Sequence, residues 1–305
     1  MIPRNPAAAC ANVTGALSIL SIILPIITMN YTPTISSTPM RRLGQHFLKN
    51  KSVARKTAVT LRITAGETVI EIGPGHGELT APLLEAIARV GGDGKVIAIE
   101  RDRTLIPSLE TLAERSGGRL AVAEGDALKA LPGVVSKIAA SDAYVITGNI
   151  PYYITGKLLR TVGGLKHKPR VAAFMVQKEV AERICAAPPA MNRLAASVQF
   201  WAEPKIIAYA PKKDFSPPPE VDSAVIFLQT KPGRPAVAPA LYYKVVRGMF
   251  AQPRKTVLNN VTGMMNAGKE RAKEALERAG IDLDVRPQNV SIDKLIALAK
   301  LDLWG

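Results

Sequence analysis

Two kinds of segment alternate along this chain from Arg41 onward, and the alternation constrains its fold more than any other sequence feature. Short apolar runs rich in β-branched residues recur, and amphipathic stretches with helical spacing lie between several of them. The runs cover residues 68–72, 95–100, 120–124, 143–147, 171–176 and 222–228, and the amphipathic stretches include 79–90, 103–116 and 178–187. The pattern predicts an α/β fold with a mostly parallel sheet covered on both faces, so ligands belong at the carboxyl ends of its strands.

A proline-rich segment separates this pattern from a helical one. Residues 231–239 hold three prolines and a glycine, which is typical of a stiff linker. Beyond it, helical spacing predicts helices over 241–250, 254–265, 269–279 and 292–301, with Ser291 as the N-cap of the last. We therefore expect a sheet domain over residues 41–230 and a small helical domain over 231–305.

The first forty residues differ from the rest of the chain, and Arg4 is their only charged residue. Their apolar run, 17–27, is shorter than the roughly 20 residues that a membrane-spanning helix needs, and no small-x-small cleavage site follows it. Two readings stay open: a signal peptide, and an N-terminal extension from a start codon assigned too far upstream. The pattern favours the second, with Met29 or Met40 as the true start, and we expect residues 1–39 to be dispensable.

The composition also limits the function. Hydrophobic residues make up 47% and charged residues 21%, which excludes a disordered chain and a multi-span membrane protein. Lys and Arg number 40 against 25 Asp and Glu, and residues 151–305 carry 24 basic and 13 acidic side chains. This excess favours a polyanionic partner such as nucleic acid, facing the second half of the chain. Two cysteines and three histidines make no disulfide framework or metal cluster, so we expect no metal and a reducing cytoplasm.

A glycine loop follows the first predicted strand in the run Glu71-Ile-Gly-Pro-Gly-His-Gly77. Its glycines allow a tight turn and a close backbone approach to a ligand at a helix N-terminus. The spacing E-x-G-x-G-x-G departs from the dinucleotide fingerprint G-x-G-x-x-G, which argues against a nicotinamide cofactor. It resembles the first motif of S-adenosylmethionine-dependent methyltransferases.

Acidic residues stand at the ends of the next two predicted strands. Glu100 lies 27 residues after Gly73, where a carboxylate can accept both hydroxyl hydrogens of a ribose. Asp126 follows the third strand, where its oxygen can accept from an adenine amino group. Either acid alone is more often a solvated loop residue, or a helix N-cap in the case of Asp126. Their order behind a glycine loop predicts a nucleoside site.

The loop after the fourth predicted strand reads Asn149-Ile-Pro-Tyr152. It resembles the N/D-P-P-Y/F motif of enzymes that methylate exocyclic amino groups. The lone pair of an adenine N6 is delocalised into the ring. Two acceptors on its hydrogens, the Asn149 side-chain oxygen and the Ile150 carbonyl held outward by Pro151, would localise it. Tyr152 offers an aromatic face for a base taken out of its stack. The motif predicts a methyltransferase that acts on an amino group.

Further segments make the resemblance specific. From about Arg41 to the C-terminus the chain resembles the ribosomal RNA adenine N6,N6-dimethyltransferase family, with the motifs in family order. The matching segments are 42–48, 71–77, Glu100, 125–128, 149–155, 176–183, 215–225 and 250–256. The resemblance implies a Rossmann-like methyltransferase domain with a helical domain, and S-adenosylmethionine as cofactor. It also implies dimethylation of two adjacent adenosines in a hairpin loop near the 3′ end of small-subunit rRNA, and so a role in ribosome biogenesis.

Positions that match the family motifs take roles by resemblance. His46 and Leu48 are implied to cover the cofactor from the N-terminal segment. Phe215 is implied to form a second aromatic wall that sandwiches the target base against Tyr152. The other implied roles are Gly73 at the methionine part of the cofactor, Glu100 at its ribose, Asp126 at its adenine and Asn149 at the methyl-transfer centre.

Three positions depart from the family pattern. His46 stands where the family commonly has Asn, which leaves a backbone contact but puts a side-chain role in doubt. Asn192 replaces an expected aromatic residue, and Pro253 interrupts a basic run before Arg254, which weakens one expected RNA contact.

A hairpin loop suits the physics of RNA recognition. Proteins cannot read the deep groove of A-form RNA, so unstacked loop bases are the accessible targets and Lys and Arg hold the flanking phosphates. The candidate phosphate binders are Lys157, Arg160, Lys166, Lys168, Arg193, Lys212, Lys213, Arg247, Arg254 and Lys255. We expect their cluster, rather than any one member, to bind small-subunit rRNA or the assembling small ribosomal subunit. We expect a monomer with no membrane contact.

Other functions compete with this one. A related methyltransferase that modifies large-subunit rRNA shares many motifs, although the segment 215–225 and the basic C-terminal run resemble the small-subunit branch more closely. A DNA adenine methyltransferase fits less well. A non-catalytic ribosome-assembly factor with the same fold has no chemical need for Glu100, Asp126 and the Asn149 loop together. An NAD-dependent oxidoreductase fails on the glycine spacing and on the lack of an acid/base group near the strand ends.

Overall fold

The computed structural model describes residues 45–233, 236–265, 268–301 and 303. The predicted N-terminal extension over residues 1–40, with both of its readings, lies outside the described residues. Within them, no helix combines the length and the apolar character needed to cross a membrane.

The strands of the described chain form one large sheet and one small one. They are β1 (Phe47–Leu48), β2 (Thr68–Ile72), β3 (Lys95–Glu100), β4 (Leu120–Glu124), β5 (Tyr144–Asn149), β6 (Val171–Gln177), β7 (Ala202–Ala210), β8 (Phe215–Ser216) and β9 (Ser223–Thr230). The large sheet has seven strands in the order β4-β3-β2-β5-β6-β9-β7, and β1 pairs with β8. β4, β3, β2, β5 and β6 are mutually parallel, whereas β9 pairs antiparallel with both β6 and β7. The strand order reverses between β2 and β5, which opens a crevice at their carboxyl ends.

Helices cover the sheet and continue beyond it. They are α1 (Lys51–Thr60), α2 (Thr80–Val90), α3 (Ile106–Arg115), α4 (Ala127–Val135), α5 (Thr155–Gly164), α6 (Lys178–Cys185), α7 (Arg193–Gln199), α8 (Pro239–Met249), α9 (Val257–Met265), α10 (Lys269–Arg278) and α11 (Ile292–Lys300). Because both sheet faces are covered, the central strands are buried along almost their whole length, as their unbroken apolar runs require.

The predicted strands agree closely with this fold. Runs 68–72, 95–100 and 120–124 are strands with the same bounds, and the other three differ by one or two residues at one or both ends. The structure adds β7 and the two-residue strands β1 and β8, which the pattern did not predict. β7 is an edge strand that contains Pro204 and shifts register between Ile206 and Ala208. Its pairing with β9, rather than its own weak apolar pattern, makes it a strand.

The helices after residue 238 share a second hydrophobic core. This core also includes residues that precede the linker in the sequence. Phe200, at the end of α7, stacks on Tyr242 of α8 with ring centroids 4.0 Å apart. The Tyr242 hydroxyl donates to the carbonyl of Ala196 at 3.0 Å. Ser291 caps α11 as predicted, since its side chain accepts from the Lys294 N–H. Met191, Ala195, Ala196 and Phe200 therefore pack in the helical core although they precede the predicted domain boundary, whereas Val198 of the same helix packs in the sheet core.

A partly buried ion pair connects the end of α1 with the amino ends of β2 and β6. Arg170, just before β6, donates to both carboxylate oxygens of Glu67 at 2.9 and 2.8 Å. The same guanidinium donates to the carbonyls of Leu61 and Arg62 at the end of α1. The side chain of Glu67 is 1% exposed and that of Arg170 is 32% exposed. The pair therefore satisfies a carboxylate that has almost no contact with water.

Replacing Arg170 with alanine should lower the free energy of unfolding by about 3–5 kcal/mol, because it leaves the Glu67 charge buried and unpaired. Arg103→Ala is the matched control, since it breaks an exposed pair with Glu124 and should cost only about 0–1 kcal/mol. Urea titrations of both variants measure the difference. Equal midpoints for the two variants would contradict this account of Glu67.

Candidate active site

The glycine loop forms a cradle at the carboxyl end of β2. Gly73, Gly75 and Gly77 have φ angles of 65°, 62° and 93°, a region that side chains other than glycine rarely adopt. A Cβ on Gly75 would lie 3.0 Å from the ring of Phe47, and one on Gly73 would lie 3.6 Å from the carbonyl oxygen of Asn149. The loop therefore brings bare backbone close to the N-terminal segment and to the end of β5.

Glu100 holds this loop against the end of β3. One carboxylate oxygen accepts from the N–H groups of Arg101 and Asp102 at 2.8 Å each, and the other accepts from Gly75 N–H at 3.2 Å. Burial raises the pKa of Glu100, and these three backbone hydrogen bonds oppose the rise. The side chain thus serves a structural purpose in addition to the ribose contact predicted for it.

Two cavities meet at this edge of the sheet and share Gln45, Gly73, Glu100 and Pro151 in their walls. The walls of the first include the predicted residues His46, Leu48, Gly73, Glu100, Asn149, Pro151 and Tyr152. The walls of the second include Gly73, Glu100 and Asp126. Every predicted site residue except Phe215 therefore lies at one continuous site.

Asp126 is the helix N-cap that was considered from the sequence, and it also lines the second cavity. One of its carboxylate oxygens accepts from the Leu128 N–H at 2.9 Å, so the side chain caps α4. Asp126 also lines the second cavity beside Tyr153 and Ala127. The cap fixes the orientation of the carboxylate at the end where an adenine is predicted to bind.

The N-terminal segment crosses over the site and is held at both sides. The Gln45 amide donates to Asp102 at 3.0 Å, and a ring nitrogen of His46 lies 2.8 Å from the Pro217 carbonyl oxygen. Leu48 is 4% exposed and pairs in register with Phe215. These contacts fit the predicted covering role of His46 and Leu48.

Asn149 is oriented by a main-chain atom of this same segment. Its amide nitrogen donates to the carbonyl oxygen of His46 at 2.7 Å. Because the amide nitrogen faces that carbonyl, the side-chain oxygen of Asn149 has no hydrogen-bond donor among the described residues. The next residue, Ile150, is held by a hydrogen bond from its N–H to the Met175 carbonyl at 3.1 Å. The structure therefore presents a preoriented acceptor at the predicted methyl-transfer centre.

Tyr152 is fixed through its hydroxyl group. The phenol oxygen lies 2.8 Å from the Ser223 hydroxyl oxygen at the start of β9. Burial raises the pKa of Tyr152, and the phenol stays protonated at neutral pH. The ring faces His46, with centroids 5.8 Å apart and planes inclined by 27°.

The structure places Phe215 differently from the predicted base sandwich. Phe215 is 1% exposed, belongs to the core beneath β1, and lines neither cavity. Its pairing with Leu48 buries the ring, because the N-terminal segment lies over it. His46 is the ring that faces Tyr152 instead. The sandwich is not formed in this arrangement, and the role of Phe215 as a base wall stays a prediction.

One predicted phosphate binder also has a different role. The Lys168 ammonium donates to the carbonyls of Gly163 and Leu165 at 3.1 and 2.9 Å, which caps the carboxyl end of α5. Burial lowers the pKa of Lys168. The other nine candidates are exposed.

Several site residues were not assigned a role from the sequence. The hydrogen bond between Gln45 and Asp102 holds the N-terminal segment over the site. Ser223 is hydrogen-bonded to Tyr152, and Glu71 lines the first cavity. The sequence could have indicated a role for Asp102, because it lies two residues beyond Glu100 at the end of a strand. It could not have indicated one for Ser223, because the contact of Ser223 with Tyr152 spans 71 residues of chain.

The sheet order, the glycine cradle and the site at the carboxyl edge define a Rossmann-like methyltransferase. Residues 37–301 match the family model described as ribosomal RNA adenine dimethylase, and the chain belongs to that family.

Individual relatives agree with this assignment. The chain is 36% identical over 283 residues to a protein named ribosomal RNA small subunit methyltransferase A from Pelotomaculum thermopropionicum, covering 88% of this chain and 93% of the relative. A dimethyladenosine transferase from Plasmodium falciparum has a similar structure, with a TM-score of 0.68, 27% identity, and coverage of 83% of this chain and 96% of that one. The 23S rRNA methyltransferase ErmE shares the fold, with a TM-score of 0.63, 22% identity, and coverage of 83% and 98%.

Glu71 is an ionisable group at the floor of the site. It is 1% exposed and accepts a hydrogen bond of 2.7 Å from the Thr80 hydroxyl. Burial raises its pKa from 4.5 to about 8, against the lowering effect of the Thr80 hydrogen bond. At neutral pH the folded protein therefore holds a proton on Glu71 that the unfolded chain has lost.

The free energy of unfolding should therefore fall as pH rises from about 4.5 to about 8, through this one group. Glu71→Gln keeps an acceptor for Thr80 and removes the titration. We expect the variant to be more stable than wild type by about 4 kcal/mol at pH 9, and to match it near pH 4.5. Thermal unfolding across this range tests it, with Glu85→Gln on the exposed side of α2 as the control for lost charge. A Glu71→Gln gain that did not change with pH would contradict the assignment.

Proposed function

We propose that this chain transfers methyl groups from S-adenosylmethionine to the N6 atoms of two adjacent adenosines in small-subunit rRNA. The observation that carries the proposal is the hydrogen bond from the Asn149 amide to the His46 carbonyl. This bond occupies the amide nitrogen and leaves the Asn149 oxygen free at the wall of the first cavity, where an amino group to be methylated needs an acceptor. A binding-only assembly factor has no use for this arrangement.

The site residues fit the proposed cofactor. Gly73 and Gly75 line the first cavity with backbone that carries no side chain, so the methionine part can approach it closely. Glu100 and Asp126 line the adjoining wall for the ribose and the adenine, and Leu48 closes the site from above. When bound, S-adenosylmethionine supplies an electrophilic methyl group on a positively charged sulfur.

The residues of the chain prepare the nucleophile. The Asn149 oxygen and the Ile150 carbonyl accept the two N6 hydrogens, which draws the nitrogen toward tetrahedral geometry and localises its lone pair. Pro151 has φ −54° and ψ 128° and no N–H of its own, so it holds the turn that exposes the Ile150 carbonyl. Tyr152, fixed by Ser223, supports the base. The proton displaced from N6 passes to water, since a carboxamide is not a base.

The proposal of an RNA substrate rests on the positive charge of the chain and on its similarity to known proteins. The relative from Pelotomaculum thermopropionicum is named for the small ribosomal subunit. The fold alone does not separate this substrate from large-subunit rRNA, because a 23S rRNA methyltransferase shares it. The exposed residues Lys212 and Lys213 follow β7 near the carboxyl edge of the sheet, where they can hold phosphates around a loop base. The monomeric state and the cytoplasmic location stay predictions.

Glu100→Ala should weaken S-adenosylmethionine binding by about 1.5–3 kcal/mol, because a charged acceptor of two ribose hydroxyls is lost. Calorimetric titration measures the affinity, and thermal unfolding shows whether the glycine loop survives loss of its Gly75 contact. Glu124→Ala, at the end of the neighbouring strand and outside both cavities, is the control. Equal affinity in the two variants would mean that the ribose does not bind at Glu100.

Asn149→Ala should lower the rate of methyl transfer about 10²- to 10³-fold, or about 3–4 kcal/mol, with cofactor and RNA affinity retained. Asn149→Asp keeps an acceptor but loses the donor to His46 and adds a charge, so we expect intermediate activity. Single-turnover transfer of labelled methyl to a small-subunit rRNA hairpin separates chemistry from binding. A wild-type rate in Asn149→Ala would refute the proposed mechanism, and no transfer by the wild type would favour an assembly factor.

A further inference from the structure

A second groove lies between the carboxyl ends of α4 and α5, outside the site described above. We name it the distal groove; its volume is about 710 Å³. Its apolar residues include Val135, Ile138 and Leu165, and its cationic residues are Lys137, Arg160 and Lys166. An apolar floor beside cations is the combination that suits a nucleotide, with a base on the floor and phosphates at the rim.

The distal groove is at the opposite edge of the sheet from the methyl-transfer centre. Its residue His167 packs edge-on against Tyr144, with ring centroids 5.0 Å apart. Tyr144 begins β5 and Asn149 ends it, so the two sites are separated by the length of that strand, roughly 17 Å at about 3.3 Å per residue. An RNA that contacts both sites must pass around the domain, which favours a large folded RNA over a short hairpin.

The electrostatic balance of the groove favours an anion. No acidic residue is among the described residues that line it, and neither Arg160 nor Lys166 has an ion-pair partner in that part of the chain. Two helix carboxyl ends face the groove, and each contributes about half a negative charge. Lys168 already neutralises the end of α5 by hydrogen bonds to its carbonyls. The cations therefore outweigh the helix dipoles.

We propose that the distal groove is a second RNA-binding site, which holds a single-stranded segment of the same rRNA substrate at some distance from the methylated loop. This inference rests on the proposed function, because it takes RNA as the substrate. Arg160 and Lys166 contact phosphates, and the apolar floor takes an unstacked base. An acidic protein segment is the competing occupant, and RNA is favoured because an apolar floor between cations matches a base flanked by phosphates.

The test uses full-length protein and two independent changes. Arg160→Glu with Lys166→Glu reverses the rim charges, and both side chains are exposed, so the fold should survive. Gly164→Leu fills the groove without changing charge, since a Cβ there meets nothing within 4 Å. The matched control is Arg89→Glu with Arg115→Glu, which makes the same charge change at the ends of α2 and α3 outside the groove.

Affinity is measured for full-length small-subunit rRNA, for a short hairpin with the target loop, and for assembled small subunits, with methyl transfer measured to each. We expect the charge reversal to weaken binding of the full-length rRNA roughly tenfold beyond the control. Replacing both Arg160 and Lys166 with neutral residues should reduce the slope of log affinity against log salt concentration by about 1.4–1.8. Gly164→Leu should weaken binding in the same direction and leave methyl transfer to the short hairpin unchanged.

Equal rRNA affinity in the charge-reversal variant and its control, or an unchanged affinity in Gly164→Leu, would overturn the proposal. A loss confined to assembled subunits, with naked rRNA bound normally, would also overturn it and identify a protein as the occupant. Absence of methyl transfer by the wild type would refute the proposed function instead. In that case the RNA affinities of the variants would still test the distal groove.

Discussion

The close approach of β5 to β2 is the constraint on which the site depends. The two strands pair so that Gly148 lies opposite Ile72, and a Cβ on Gly148 would overlap the Ile72 backbone. Only glycine allows this contact, and it brings Asn149 directly beside the cradle at Gly73. The acceptor for the amino group and the backbone that would hold the cofactor thereby come from neighbouring strands, with no loop flexibility between them.

Acidic side chains gather at the carboxyl edge of the sheet. Glu100, Asp102 and Asp126 lie there, and their negative charge favours a cofactor that carries a sulfonium. Glu71 beside them holds a proton at neutral pH. The same negative charges disfavour phosphates inside the site, so the proposed RNA contacts belong to cationic residues around it.

Local patterns were sufficient for much of the fold. The parallel strands were predicted within one or two residues because strands buried on both faces leave continuous apolar runs. The cradle and Asn149 were predicted because their chemistry requires particular residue types at fixed spacing. β7 was not predicted, because an edge strand with Pro204 becomes a strand only through pairing with β9.

By itself the sequence determined which residues stand at the end of each strand, and in a parallel sheet this is enough to collect Gly73, Glu100, Asp126 and Asn149 at one edge. Only the tertiary structure decided what each side chain does there. It turned Phe215 into the core by pairing it with Leu48, and it used Lys168 to cap a helix. It also oriented Asn149 through a carbonyl 103 residues away. Such contacts join distant parts of the chain, and no local spacing or composition records them.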